Sequence, residues 1–214
     1  MVSCRLIFVR HGQSMGNLNG TFLGWTDLPL SPLGFKQAEK TAQFLSSLNI
    51  DKIYSSDLLR AYETSLALSR KRGIEVIKEK RFREIFVGLW ENRRFSDLEK
   101  EFPITYGVWK SDIGLSYADE GESVADMQKR VIEAVLEIAE SNDGKTVAIF
   151  THATVIRALF CYADGKELSN MKNVPWASNA SVSELIFNDN KFEIVSYSID
   201  EFLGDMKTVL PKNC

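Results

Sequence analysis

The sequence predicts an α/β fold built on parallel strands, and three observations carry that prediction. Leu6 to Val9 is a short, unbroken apolar run, the pattern of a strand buried on both faces. Lys145 to Thr151 is a second apolar run rich in β-branched residues, and each run breaks at once into a histidine segment, Arg10-His11-Gly12 and His152. Amphipathic helical patterns fill the chain between them. Open α/β sheets place their ligand sites beyond the carboxyl ends of such strands.

Composition bounds the function. A chain of 214 residues with 44% apolar content suits one large domain or one domain with a cap, with ample material for a core. A formal charge of −3, from Lys+Arg 26 against Asp+Glu 29, argues against a general nucleic-acid or membrane surface. Only two histidines occur and neither HExxH nor CxxC is present, which excludes a His-rich zinc centre. Cys4, Cys161 and Cys214 have neither metal-like nor disulfide spacing, and an odd count suits a reducing cytosol. The opening MVSCRLIFVRHG has too short an apolar run for a signal segment, and no stretch is long enough to span a bilayer, so the expected compartment is the cytoplasm.

In chain order, the first strand ends in a guanidinium, an imidazole and a glycine that permits close backbone approach, a triplet suited to binding and attacking an oxyanion. Asn17 can add an amide donor. The Gly- and Pro-rich LNGTFLGWTDLPLSPLG reads as a surface loop above the strand end, carrying Leu23 and Gly24. Ser31-Pro32 opens a helix whose buried positions run from Ala38 to Leu48. Asp51 to Tyr54 reads as a strand, and Ser55-Ser56-Asp57 as the cap of a helix placing Arg60 in its first turn, within reach of the same anion as Arg10. Glu75 to Ile77 is a third strand, followed by a mostly solvated basic run, Lys78 to Arg83.

Glu84 precedes Ile85, Phe86 and Val87, and a carboxyl beside apolar neighbours can be kept protonated by desolvation, as a general acid requires. Residues 86–121 carry many aromatics on weak periodicity and read as a cap or lid insertion. Ser123 with Asp126 resembles a capping box, and Val124, Met127, Val131, Val135 and Ile138 form a core-facing stripe. After the second apolar strand, His152 and the amide of Ala153 sit at a helix N-terminus, a natural anion site. The tail, SVSELIF-NDN-KFEIVSYS, reads as a β-hairpin at the sheet edge.

VRHGQSMGN, GWTDLPLSPLG, SSDLLRAYETS, REIFVGLWE, GESVADMQKRV and VAIFTHATVIRAL stand in the order and spacing of the phosphoglycerate-mutase-like group, and the chain resembles the histidine phosphatase superfamily over nearly its whole length. The resemblance implies a three-layer α/β/α fold with a mixed, mostly parallel sheet and a small helical cap, all within one domain over residues 1–214. It implies that His11 is the phosphorylated nucleophile, that Arg10, Asn17, Arg60 and His152 form the phosphate pocket, and that Glu84 is the proton donor that later activates water. No cofactor or metal is implied, and the expected partner is a small-molecule phosphate ester. The oligomeric state stays open between monomer and homodimer. Leu23 before Gly24 and Ile85-Phe86-Val87 after Glu84 depart from the mutases, Ala153-Thr154 replace the Gly of the family and the Gly-Asn of the mutases after the second histidine, and the shorter Glu84 to Glu122 interval resembles the phosphatase branch, which includes the broad-specificity and α-ribazole phosphate phosphatases. A phosphomonoesterase is therefore expected, its pocket walled by Leu23, Ile85, Phe86 and Trp109. The alternatives are a phosphoglycerate mutase or sugar bisphosphate phosphatase and, from another class, a non-catalytic phospholigand binder.

Overall fold

The first apolar run forms β1 (Ser3–Arg10), whose side chains divide alternately between two cores, as a strand covered on both faces must. The computed structural model describes residues 3–208. Further along the chain come α1 (Met15–Asn19), β2 (Thr21–Phe22), α2 (Pro32–Leu45), β3 (Lys52–Ser55), α3 (Leu59–Arg72) and β4 (Val76–Lys78). After them follow β5 (Arg93–Arg94), α4 (Phe95–Glu101), α5 (Thr105–Ser111), α6 (Val124–Glu140), β6 (Thr146–Thr151), α7 (Ala153–Ala163), β7 (Val182–Asn188) and β8 (Lys191–Ile199).

Six strands form one sheet in the order β4-β3-β6-β1-β7-β8. β4, β3, β6 and β1 are mutually parallel, and β7 joins β1 antiparallel. The architecture is α/β with a mixed, mostly parallel sheet flanked by helices. Ile7 and Val9 pack with Ala38, Ala42 and Leu45 of α2 and with Ala67 and Leu68 of α3. Leu6 and Phe8 face the opposite way, into a core built from α6, α7 and the aromatic segment that includes Trp90, Tyr106 and Trp109. The pairing of β1 with β6 aligns Arg10 with Thr151, which brings the two histidines that follow to one edge of the sheet.

Local chemistry explains the boundaries. Ser31 caps α2 by accepting from Gly34 N at 3.1 Å, with Pro32 inside the first turn. α2 ends at Leu45, short of the expected Leu48, where Ser46 Oγ donates to the Gln43 carbonyl. α3 is not capped by Asp57, whose carboxylate instead takes both arms of the Arg83 guanidinium at 2.7 Å. The Leu59 amide donates instead to Asp27 from the loop between β2 and α2. The basic run is less solvated than its composition suggests, because Phe82 is fully buried and Arg81 and Arg83 are ion-paired. The tail hairpin forms as expected around Asp189 and Asn190, both at positive φ, the turn geometry that matches strand twist. β8 is the sheet edge.

Cys4 and Cys161 are buried free thiols, and burial pushes Cys4 up to about 11, which keeps it as an inert thiol. Cys214 lies outside the described residues. Among the described residues no helix is long and apolar enough to cross a membrane.

Candidate active site

The carboxyl ends of β1 and β6, the N-terminus of α7 and the loop after β2 surround an open cleft of about 800 Å³. Arg10, His11, Asn17, Arg60, Glu84 and Ala153 all line it, and Leu23 and Gly24 contribute to the wall. His152 does not line the cleft; it lies fully buried behind His11, the two ring centroids 5.1 Å apart.

His11 Nδ1 is 2.7 Å from the Gly12 carbonyl, an oxygen that can only accept, so Nδ1 carries the proton and Nε2 keeps its lone pair. Burial, followed by the charges of Arg60 and Arg10, holds the His11 pKa well below 6.5. The ring is therefore a neutral imidazole with a free nucleophilic nitrogen at pH 7. Gly12 permits close approach as expected, but to the protein itself. A Cβ there would stand 2.6 Å from the Gly34 carbonyl oxygen, so the loop after β1 seats directly on the first turn of α2.

Arg10 Nη1 donates to the Ala177 carbonyl at 2.6 Å, and Arg60 donates to the carbonyls of Gly24 and Thr26 at 2.7 and 3.1 Å. Burial brings the Arg60 pKa down to about 10, a group still cationic at neutral pH. Two buried guanidiniums beside a neutral imidazole make the floor of the cleft an anion site. His152 has its pKa held well below the ordinary value, by burial first and then by Arg60 and His11. Its Nε2 pairs with Ser56 Oγ at 2.8 Å, while Nδ1 is buried with no hydrogen-bond partner among the described residues. A buried polar nitrogen left in that condition beside His11 is suited to an anionic oxygen.

The Glu84 carboxyl is not enclosed by the apolar residues that follow it. Ile85 and Val87 turn into the core, and Phe86 packs against Trp25 at 5.1 Å. The carboxyl oxygens instead accept from Ile85 N at 2.9 Å and Thr154 N at 3.3 Å, on the first turn of α7. Ile85 and Phe86 consequently do not wall the cleft. Phe22, Phe95, Trp109 and Trp176 do, with Leu23, and Arg157 holds Trp176 in place by lying 4.3 Å over its ring.

A family model described as "Histidine phosphatase superfamily (branch 1)" matches residues 6–200. The chain belongs to the histidine phosphatase superfamily, branch 1. It is a phosphatase of that superfamily. This histidine phosphatase is 33% identical over 204 residues to phosphoserine phosphatase 1 of Hydrogenobacter thermophilus, covering 94% of this chain and 95% of that one. Among solved structures it resembles Bacillus stearothermophilus YhfR, with TM-score 0.89 and 27% identity over 93% of this chain and 99% of that one. It also resembles mycobacterial glucosyl-3-phosphoglycerate phosphatase in complex with inorganic phosphate, with TM-score 0.84 and 26% identity, covering 92% and 98% of the two chains.

Several groups that shape the site of this histidine phosphatase gave no sequence signal. Asn179 donates to the His11 carbonyl at 3.2 Å and to Asn17 Oδ1 at 3.1 Å. Asn17 Oδ1 also accepts from Ser14 N in a capping box, so the remaining hydrogen-bonding capacity of Asn17 is its NH₂ donor. Thr64 accepts from Gly12 N, and Glu91 ties down the loop of Leu23 and Gly24 by accepting from the amides of Trp25 and Thr26. Ser14, Thr64 and Glu91 lie within the segments VRHGQSMGN, SSDLLRAYETS and REIFVGLWE, where nothing singles them out, and Asn179 lies in none of the six.

Proposed function

We propose that this protein is a metal-independent phosphomonoesterase working through a phosphohistidine at His11. The observation that carries the reading is the His11 tautomer: Nδ1 committed to the Gly12 carbonyl and Nε2 unprotonated, between two buried arginines in a cleft that also holds a carboxyl. His11 Nε2 attacks phosphorus, forming an N–P bond as the ester P–O bond breaks. Arg10, Arg60 and the Asn17 amide take the developing charge on the equatorial oxygens from the cleft surface, and His152, which lies behind His11 and does not line the cleft, adds its Nδ1 from beneath the His11 ring. Glu84 gives its proton to the leaving oxygen. In the second half it takes a proton from water, whose oxygen bonds to phosphorus as the N–P bond breaks. The chemistry asks nothing of a metal, and among the described residues no three His, Cys, Asp or Glu side chains are grouped so as to hold one.

The substrate is a small ester whose alcohol part is apolar or neutral. Arg10 and Arg60 are the cations lining the cleft, and both belong to the phosphate floor. Among the described residues no further lining cation is left to grip a carboxylate, while Phe22, Phe95, Trp109 and Trp176 present an aromatic wall to the alcohol. The same lack of a second anion grip weighs against mutase chemistry.

Phosphate release from a panel of monoesters, 3-phosphoglycerate included, is to be measured in EDTA for the native protein and for His11→Ala. Turnover that survives chelation and is lost in the variant is the expected result. Activity that needs added metal, persists in His11→Ala, or takes the form of phosphoglycerate interconversion after bisphosphoglycerate priming overturns the proposal.

A further inference from the structure

The segment GESVADMQKRV marks the family in the sequence yet supplies nothing to the cleft, since neither Glu122 nor Arg130 lines it. Its two charged ends meet across two turns at the start of α6. Arg130 Nε and Nη2 form a fork on the Glu122 carboxylate at 2.7 and 2.8 Å, both side chains mostly buried. The remaining donors all go to one short piece of backbone. Nη1 donates to the carbonyls of Arg81 and Arg83 at 2.7 and 2.8 Å, and Nη2 to the carbonyl of Glu84 at 3.0 Å. A guanidinium has five N–H groups, and here all five are placed. Glu122 extends the clamp to Phe86, accepting from Phe86 N through its carboxylate at 3.2 Å and donating its own N–H to the Phe86 carbonyl at 2.7 Å.

Residues 81–86 contain no α-helix or sheet strand, only a single 3₁₀ turn at Lys80–Phe82, so no α-helical or sheet ladder holds the backbone on which Glu84 is carried. Arg130 and Glu122 hold it from the α6 side, and Trp25 Nε1, donating to the Glu84 carbonyl at 2.8 Å, holds it from the other. The Glu84 carboxyl then meets the α7 amide of Thr154.

We infer that Arg130, held by Glu122, is a positioning residue for the proton donor: its planar fork fixes the carbonyls of Arg81, Arg83 and Glu84 and thereby aims the Glu84 carboxyl at the leaving oxygen. The inference rests on the reading of Glu84 as general acid. A lysine keeps the charge but replaces a rigid five-donor fork with a point charge, so Arg130→Lys removes the geometry and leaves the long-range field at His152 in place.

Leaving-group dependence separates positioning from general damage, because a nitrophenolate departs without a proton and an alkoxide does not. The experiment compares kcat/KM for 4-nitrophenyl phosphate and 2-phenylethyl phosphate in the native protein, Arg130→Lys, Glu122→Gln and Glu84→Gln, with thermal unfolding of each. For Arg130→Lys the expected result is a loss of about 10²-fold on the phenylethyl ester, with no more than about a threefold loss on the nitrophenyl ester. Glu122→Gln, which keeps Arg130 and one carbonyl oxygen for it, shifts the ratio in the same direction by a smaller factor. Equal losses on the two esters, or none, in Arg130→Lys and Glu122→Gln overturn the inference while Glu84→Gln shows the bias. If Arg130→Lys does not fold, Glu122→Gln decides by the same ratio. A Glu84→Gln variant with no leaving-group bias overturns the general-acid reading itself, and the role of Arg130 with it.

Discussion

Acidification of the folded protein offers a test that needs no substrate. The chain has two histidines, both buried at the site, and both have folded-state pKa values well below the 6.5 of an unfolded chain. Below pH 6.5 the unfolded chain therefore binds protons that the folded one refuses, so stability falls as pH falls from 6.5 toward the folded values, and is unaffected by these groups above 6.5. Each histidine contributes a slope of up to about 1.4 kcal/mol per pH unit. Between pH 6.5 and 5.0 the pair reaches a ceiling of about 4 kcal/mol, a large part of the roughly 5–15 kcal/mol that holds a domain together. The carboxylates with depressed pKa values, Asp57, Glu79, Glu137 and Asp200, start from ordinary values of 3.8 to 4.5 and act mainly below that window. Urea denaturation at pH 7.0, 6.0 and 5.0, in buffers free of phosphate and sulfate, should show the loss in the native protein. A His11→Gln, His152→Gln double variant should show a nearly flat profile over the same range. A native stability constant to within about 0.5 kcal/mol from pH 7 to pH 5, or the same slope in the double variant, refutes the assignment of neutral buried imidazoles.

Two substitutions probe neighbouring parts of the site. Ser56 is fully buried and is the hydrogen-bond partner of His152 Nε2, so Ser56→Ala leaves that nitrogen unpaired and should cost about 1–3 kcal/mol in urea unfolding. A midpoint unchanged from the native one would show that the pair contributes nothing. Trp176 lines the cleft beneath Arg157, and Trp176→Ala should raise KM for an aryl ester about tenfold, the equivalent of one aromatic contact, with little change for a small aliphatic ester. Equal effects on both esters would remove Trp176 from the alcohol pocket.

Much of the architecture was legible because its signals are local. A buried strand announces itself as an unbroken apolar run, as in Leu6 to Val9, and an amphipathic helix as a stripe, as in Val124 to Ile138. The placement of His11 and His152 at matching strand ends followed from those runs, and the parallel pairing of β1 with β6 turns that sequence likeness into proximity. The capping of α3 was not legible. Asp57 has the right chemistry at the right place, but Arg83, 26 residues on, outcompetes the local amides with a two-armed pair.

The sequence by itself determined the kinds of groups at the site, two imidazoles, two guanidiniums, an amide and a carboxyl, together with the strand and helix ends that carry them. Only the tertiary structure decided how those groups are held. The tautomer of His11 depends on the local path of the Gly12 carbonyl, and the partner of His152 comes from Ser56, 96 residues away. The contacts of the Glu84 carboxyl are not legible in the sequence, because adjacent side chains on an irregular segment need not share an environment. Ile85 and Val87 turn to the core while the carboxyl meets the amides of Ile85 and Thr154. The aromatic wall assembles from Phe22, Phe95, Trp109 and Trp176, drawn from four separate segments. Spacing along a chain carries no record of such convergence, because burial and hydrogen bonding act through space between whichever surfaces the fold brings together.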